Sequence, residues 1–224
     1  MMTRGATSVG VFLGALVVAS AAFAAEPRVL GGSWSAAELA AVEIEAGVGE
    51  ITIVASDDTE VVLEIELTAR RGGLFSSMRR AEREVADAEL AAEVIGETLR
   101  LEVVSDSEER RFEEEWTLEL PARLAVRIDH GVGDVKVRDT VGGVFLEGGV
   151  GDVRIEVGGG DITIDLGVGD VTVRGPSSMY GPVECSVGVG DADLRVDGDR
   201  IDDDGFIGRS VSARGSGSNT IIVE

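Results

Sequence analysis

Cysteine, histidine and tyrosine each occur once in this chain, tryptophan twice and proline four times. With Cys185 alone, no internal disulfide can form, even in an oxidising compartment. With His130 as the only histidine, a Cys/His nucleophile pair and a histidine-ligated zinc site are both poorly provided for. The few aromatic residues leave little from which to assemble a sugar-stacking platform. Cations are also scarce, 20 against 42 acids, for a net charge of −22. Nucleic acid and anionic lipid surfaces are therefore poor partners, and basic partners or divalent cations better ones. Beyond the N-terminus no apolar run is long enough to span a bilayer.

What the chain has first is a leader. Residues 1–24 carry a single cation, Arg4, then an apolar run from Val9 to Phe23 ending in Ala-Phe-Ala before Ala25. This pattern reads as a secretory signal peptide, to be left out of fold reasoning. An uncleaved anchor is the alternative, against which Gly10, Gly14, Ser20 and the shortness of the run all count. No cysteine follows the cleavage point, so a lipid anchor is not expected. The expectation is export to the periplasm or to the cell surface or medium, without stable membrane insertion.

Residues 125–178 then repeat one nine-residue phrase six times: AVRIDHGVG, DVKVRDTVG, GVFLEGGVG, DVRIEVGGG, DITIDLGVG and DVTVRGPSS. The second and fourth places are always aliphatic, from Val126 and Ile128 to Val171 and Val173. Alternate residues of a strand face opposite sides, so these pairs line an interior while Arg127, Lys136, Arg154, Thr163 and Thr172 face water. The glycine-rich block ends are corners, where the eighth-place Val132, Val141, Val150 and Val168 are expected to tuck back inside. After Ser178 the phrase slips by three residues, 179–181, which reads as a bulged corner loop, and resumes as PVECSVGVG and DADLRVDGD. Cys185 takes an aliphatic place there, which predicts burial. Two blocks make an eighteen-residue coil with a strand on each side, and coils stack about 4.8 Å apart. The predicted fold is all-β: a single-stranded β-solenoid of 18-residue coils, two nonapeptides each, preceded by a β-rich cap segment with one short helix. A meander of hairpins competes with it.

Residues 25–120 form the N-terminal capping part and 121–224 the repeat. In the first, residues 42–46, 51–54 and 60–68 alternate as strands, and Gly-Val-Gly-Glu at 47–50 is an early copy of the repeat corner. Met78, Ala81, Val85 and Ala88 fall at helical spacing, with their apolar side covering the sheet. Leu90 to Val103, broken at Gly96, reads as a hairpin. At the far end, residues 220–223 make a final strand placed to close the stack.

The phrase TLELPARLAVRIDHGVGDVKV at 117–137, with the later GVGDVxV, GGGDITI and GVGDADL copies behind a signal peptide, resembles the bacterial putative-adhesin domain family of envelope proteins. The similarity runs from about Val42 to the C-terminus and is strongest over residues 116–196. It implies a β-solenoid-like fold and an envelope or surface location, and it supplies no reaction and no catalytic residues.

In an eighteen-residue coil Asp134, Asp152, Asp170 and Asp191 fall on one edge, where adjacent carboxylates repel by roughly 1 kcal/mol per pair even in water. Calcium would relieve that ladder. Calcium-binding repeats of the GGxGxDxUx type, however, place a residue between glycine and aspartate. Here Asp follows Gly directly, and the plainer account has each Asp accepting a backbone N–H at its corner. On the outward faces Arg138, Glu156, Arg174 and Arg195 stack in one column. Asp129, Glu147 and Asp165 stack in another beside Phe145, the surface for a basic envelope protein or polymer. No acid/base pair stands out among the acids, so the sequence points to a non-catalytic structural or adhesin-like binding module without a cofactor. A calcium-responsive module and a carbohydrate-active solenoid enzyme are the alternatives.

Overall fold

A computed structural model describes residues 27–70, 78–107, 110–196, 199–201, 209–214 and 216–223. The segment read as a signal peptide lies outside them, as does the side chain of Cys185.

Among the described residues the chain forms seventeen strands and one helix. Before the repeat come β1 (Arg28–Ser35), β2 (Ala41–Ser56), β3 (Glu60–Ala69), α1 (Met78–Asp87), β4 (Glu89–Ile95), β5 (Thr98–Val104) and β6 (Phe112–Pro121). The repeat itself supplies β7 (Ala125–Val132), β8 (Val135–Arg138), β9 (Val144–Val150), β10 (Val153–Glu156), β11 (Ile162–Val168) and β12 (Val171–Gly175). After it follow β13 (Tyr180–Val187), β14 (Ala192–Val196), β15 (Asp199–Ile201), β16 (Arg209–Arg214) and β17 (Asn219–Val223).

Strands of the repeat do not pair with their sequence neighbours. Each pairs in parallel with the strand eighteen residues on, Val135 with Val153 and Val153 with Val171 on face A, Val126 with Val144 and Val144 with Ile162 on face B. This arrangement rules out a meander over residues 125–175. The twelve second- and fourth-place aliphatics of the six blocks are all at most 2% exposed and meet between the two faces. Burying each is worth about 1.5–3 kcal/mol, which is what holds one coil's two strands against each other.

β2 is itself a coil. Its first half pairs with β7 on face B and its second half with β8 on face A, passing through the corner at residues 47–50 without a break. Beyond β2, face A continues through β6, β3 and β1, and face B through β5 and β4. The hairpin β4–β5 turns at Gly96, and α1 buries Ala81 and Val85 and packs on β3 and β6. Glu84 of α1 is buried as well, because the Arg111 N–H at 3.1 Å and the Ser107 hydroxyl at 3.2 Å donate to its carboxylate.

Two expectations fail. The final strand does not close the stack: β17 threads in parallel between β11 and β13, and β15 and β16 pair antiparallel outside β14 and β13. The wedge is possible because residues 179–181 lengthen that coil, so that β12 and β14 still adjoin, Val171 opposite Ala192. The corner valines are the second. Val132, Val141, Val150 and Val168 are 43–48% exposed, because the chain bends between faces at these points and leaves their side chains on the outside of the bend.

Candidate functional site

The repeated corner builds one edge of the molecule. Its second glycine is forced. At Gly151, φ is +151° and an added Cβ would lie 2.0 Å from the carbonyl oxygen of Gly133 in the coil below. The backbones of successive coils are thus nearly in contact, and no side chain fits between them.

Because every coil turns alike, the residues around the turn stack. Val48, Val132, Val150, Val168 and Val189 align into a ridge. On its face-B flank runs a row of Glu45, Asp129, Glu147 and Asp165 in register. On its face-A flank stand Glu50 and then Asp134, Asp152, Asp170 and Asp191. An aliphatic strip therefore extends over five coils, with carboxylates on both sides over the first four. Arg100 meets Glu45 at 3.1 Å and Lys136 meets Glu50 at 3.3 Å, both at the same end of the rows. Among the described residues, Asp129, Glu147, Asp165, Asp152 and Asp170 carry no ion pair.

The aspartate row has an internal logic. Asp134 Oδ1 accepts the N–H of Asp152 at 3.1 Å, Asp152 Oδ1 that of Asp170 at 3.2 Å, and Asp170 Oδ1 that of Asp191 at 2.9 Å. Each carboxylate thus binds the backbone of the next coil, and charge-assisted bonds of this kind offset the repulsion along the row. Asp161 does the same on the opposite edge, accepting from Thr220 N at 2.6 Å. Among the described residues no three His, Cys, Asp or Glu side chains gather into a metal-holding group. Asp152→Asn keeps the acceptor oxygen, so the unfolding free energy read from urea melts is expected to stay within about 0.5 kcal/mol of wild type, whereas Asp152→Ala, which leaves the Asp170 N–H to water, is expected to cost about 0.5–1.5 kcal/mol.

Asp129, Glu147, Asp165 and Phe145 share face B, where the Arg127 guanidinium lies 5.4 Å from the Phe145 ring centre. The valine ridge, and the extension of both acidic rows by Glu45 and Glu50, were passed over in sequence. The signal was present in Gly-Val-Gly-Glu at 47–50, an acid directly after the glycine as in the later copies.

His130 is not a corner residue. It sits in β7, 4% exposed, with Nε2 3.1 Å from the Gly49 carbonyl oxygen. Burial pushes its pKa below the usual 6.5, against the smaller opposing effects of nearby backbone groups and Asp129. The neutral ring is the one that folds, so its contribution to stability is complete above pH 6.5 and is lost as pH falls from there through the lowered folded value. His130→Asn is expected to flatten that stretch of the stability profile, read as urea midpoints at pH 7.5, 6 and 5.

Tyr180 also escaped the sequence reading. Within the three-residue insertion, it fills the interior at 1% exposure, its hydroxyl donating to the Val157 carbonyl at 3.4 Å, and burial pushes its pKa to about 12.

No family model matches the chain, and no curated protein sequence matches it. Among solved structures, a putative lipid binding protein of Parabacteroides distasonis aligns at 12% identity and TM-score 0.29 over 76% of this chain and 74% of its own. A putative adhesin of Bacteroides fragilis aligns at 14% identity and TM-score 0.23 over 88% and 97%. A putative cell adhesion protein of Clostridium sporogenes aligns at 18% identity and TM-score 0.54, over 88% of this chain and 93% of that one, and with it the chain shares its fold.

Proposed function

We propose that this protein is an exported, non-catalytic β-solenoid that serves as an adhesin-like binding module of the bacterial cell envelope, and that its ridged edge is the contact surface. The observation that carries the reading is the ridge: five valines in line, Val48 half-buried and the other four exposed, bordered on both sides over four coils by carboxylates most of which have no counter-cation. Isolated exposed valines need no explanation, but a continuous strip of them does. The partner it fits is basic and apolar together, such as a protein segment carrying lysines or arginines on either side of aliphatic residues. Charges along the rows would steer the encounter and the strip would hold it.

The cleft beside α1 supports a non-catalytic role. The cleft beside α1, about 440 Å³, is lined by Arg80, Arg83, Glu84, Asp87, Ser105, Asp106 and Ser107, and its buried Glu84 is held by Ser107, Arg111 and Arg80. A carboxylate so fully engaged is a structural anchor rather than a general acid.

The test is in-cell crosslinking of the tagged protein followed by mass spectrometry, with the triple variant Asp129→Asn, Glu147→Gln, Asp165→Asn beside wild type. A partner captured reproducibly by wild type and lost in the variant is the expected result. Equal capture by both, or none by wild type, would sink the edge as the contact surface. Repeating the capture with chelator separates the calcium reading, under which Asp152→Asn with Asp170→Asn would abolish a metal dependence that wild type displays.

A further inference from the structure

Face A carries a feature that the acidic edge does not account for. On adjacent coils Lys136 and Arg154 lie directly opposite one another, and so do Arg174 and Arg195. Like charges facing across a strand pair are unfavourable. In a chain with 20 cations and 42 acids, two such pairs on four successive coils run against the composition.

The acids nearby cancel this charge only in part, Arg195 being taken by Asp193 at 3.1 Å. The aspartates of the adjoining row are turned along the stack, Asp134 and Asp152 each accepting a backbone N–H of the next coil. Glu156 is taken by Arg174 at 3.0 Å, and Lys136 reaches away to Glu50 at 3.3 Å. Among the described residues Arg138 and Arg154 make no ion pair, and both are exposed. Lys136, Arg138, Arg154 and Glu156 together line an open concavity of about 210 Å³ between β8 and β10.

We infer that this concavity is a binding site for an oxyanion-bearing ligand, a carboxylate or a phosphate group, held between the Arg138 and Arg154 guanidiniums with Lys136 beside them. Two planar forks on a rigid sheet suit the two-oxygen geometry of either group, and the bound anion supplies the counter-charge that Arg138 and Arg154 lack. Glu156, paired with Arg174 at 3.0 Å, sets the border of the site. The site lies on the opposite face from Asp129, Glu147 and Asp165, so the protein would hold a basic partner on its edge and an anionic group on face A at once.

The experiment is a titration of the whole protein, followed by amide and arginine side-chain NMR, with inorganic phosphate in one arm and galacturonate and its trimer in the other. Saturable shifts confined to residues around 136–138 and 154–156 are expected in at least one arm, and the arm that responds identifies a phosphate or a carboxylate source. The double variant Arg138→Gln, Arg154→Gln is expected to weaken that binding by about tenfold per guanidinium removed, and Glu156→Gln to tighten it, while Arg127→Gln on face B leaves it unchanged. Thermal melts of each variant confirm the fold, which exposed outward positions leave intact. No saturable shift in either arm, or shifts that persist in the double variant, would overturn the site. So would self-association that the double variant dissolves in the absence of any anion binding, since the cations would then be meeting the acidic face of a second copy. Neither outcome touches the crosslinking result, whose variant alters only Asp129, Glu147 and Asp165 on face B.

Discussion

Gly151→Ala is expected to destabilise the fold by roughly 3 kcal/mol or more, lowering the urea midpoint sharply and leaving the variant poorly folded at 37 °C. The size follows from two costs at one atom. A residue with a Cβ is strained at φ +151°, and that Cβ would sit 2.0 Å from the Gly133 carbonyl oxygen and 2.5 Å from its carbon. Neither coil can step aside, because a Cβ at Gly133 would in turn lie 1.7 Å from the Gly49 carbonyl oxygen, and Gly169 stands in the same relation to Gly151. Gly96→Ala is the matched comparison. There φ is +63° and nothing lies within 4 Å of the added carbon, so the left-handed conformation alone is charged, about 1–2 kcal/mol. Equal effects at the two positions would mean that coil contact is not what requires glycine at the corner.

The second large effect is expected at Trp116. It is 1% exposed between Ile51 and Ile65 on face A, and its Nε1–H donates to Glu114 Oε2 at 2.9 Å. Trp116→Ala removes that packing and is expected to cost about 3–5 kcal/mol. Trp116→Phe, which keeps most of the volume, isolates the hydrogen bond to a buried carboxylate and is expected to cost about 1–3 kcal/mol. Its pH dependence identifies the mechanism. Burial raises the Glu114 pKa above the ordinary 4.5, while Trp116, Arg110 and the Gly47 N–H oppose the rise. A group raised in the folded state gives its full stability below the unfolded value and loses it as pH climbs through the folded one. Removing the indole donor raises Glu114 further, so Trp116→Phe is expected to lose more stability between pH 4.5 and 7 than wild type. Parallel profiles of the two proteins over that range would assign the loss to packing alone.

Legibility in the sequence varied with the kind of interaction. The eighteen-residue register, the inward aliphatics and the outward columns at Arg138 and Asp129 follow from side-chain alternation and one repeat length, both local properties. The role of the aspartates was half legible. That Asp accepts a backbone N–H follows from its chemistry, but that the N–H belongs to the next coil depends on how coils stack. The direction of the corner valines was misread because alternation stops applying where the chain bends. Trp116 and Glu114, two residues apart on one strand, both point inward, and nothing in an acidic run at 113–115 separates the buried carboxylate from its exposed neighbours Glu113 and Glu115.

By itself, then, the sequence determined the strand period, the residues of the core and the places where only glycine serves, because each rests on contacts that every repeat makes in the same way. Tertiary structure alone decided the irregular features: β17 entering between β11 and β13, β2 acting as a coil ahead of the repeat, the valines turned outward, and Arg138 and Arg154 left without an ion pair among the described residues. These depend on pairings between distant segments, and the free energies that select one pairing over another are sums over a whole interface. No single residue type or spacing records such a sum.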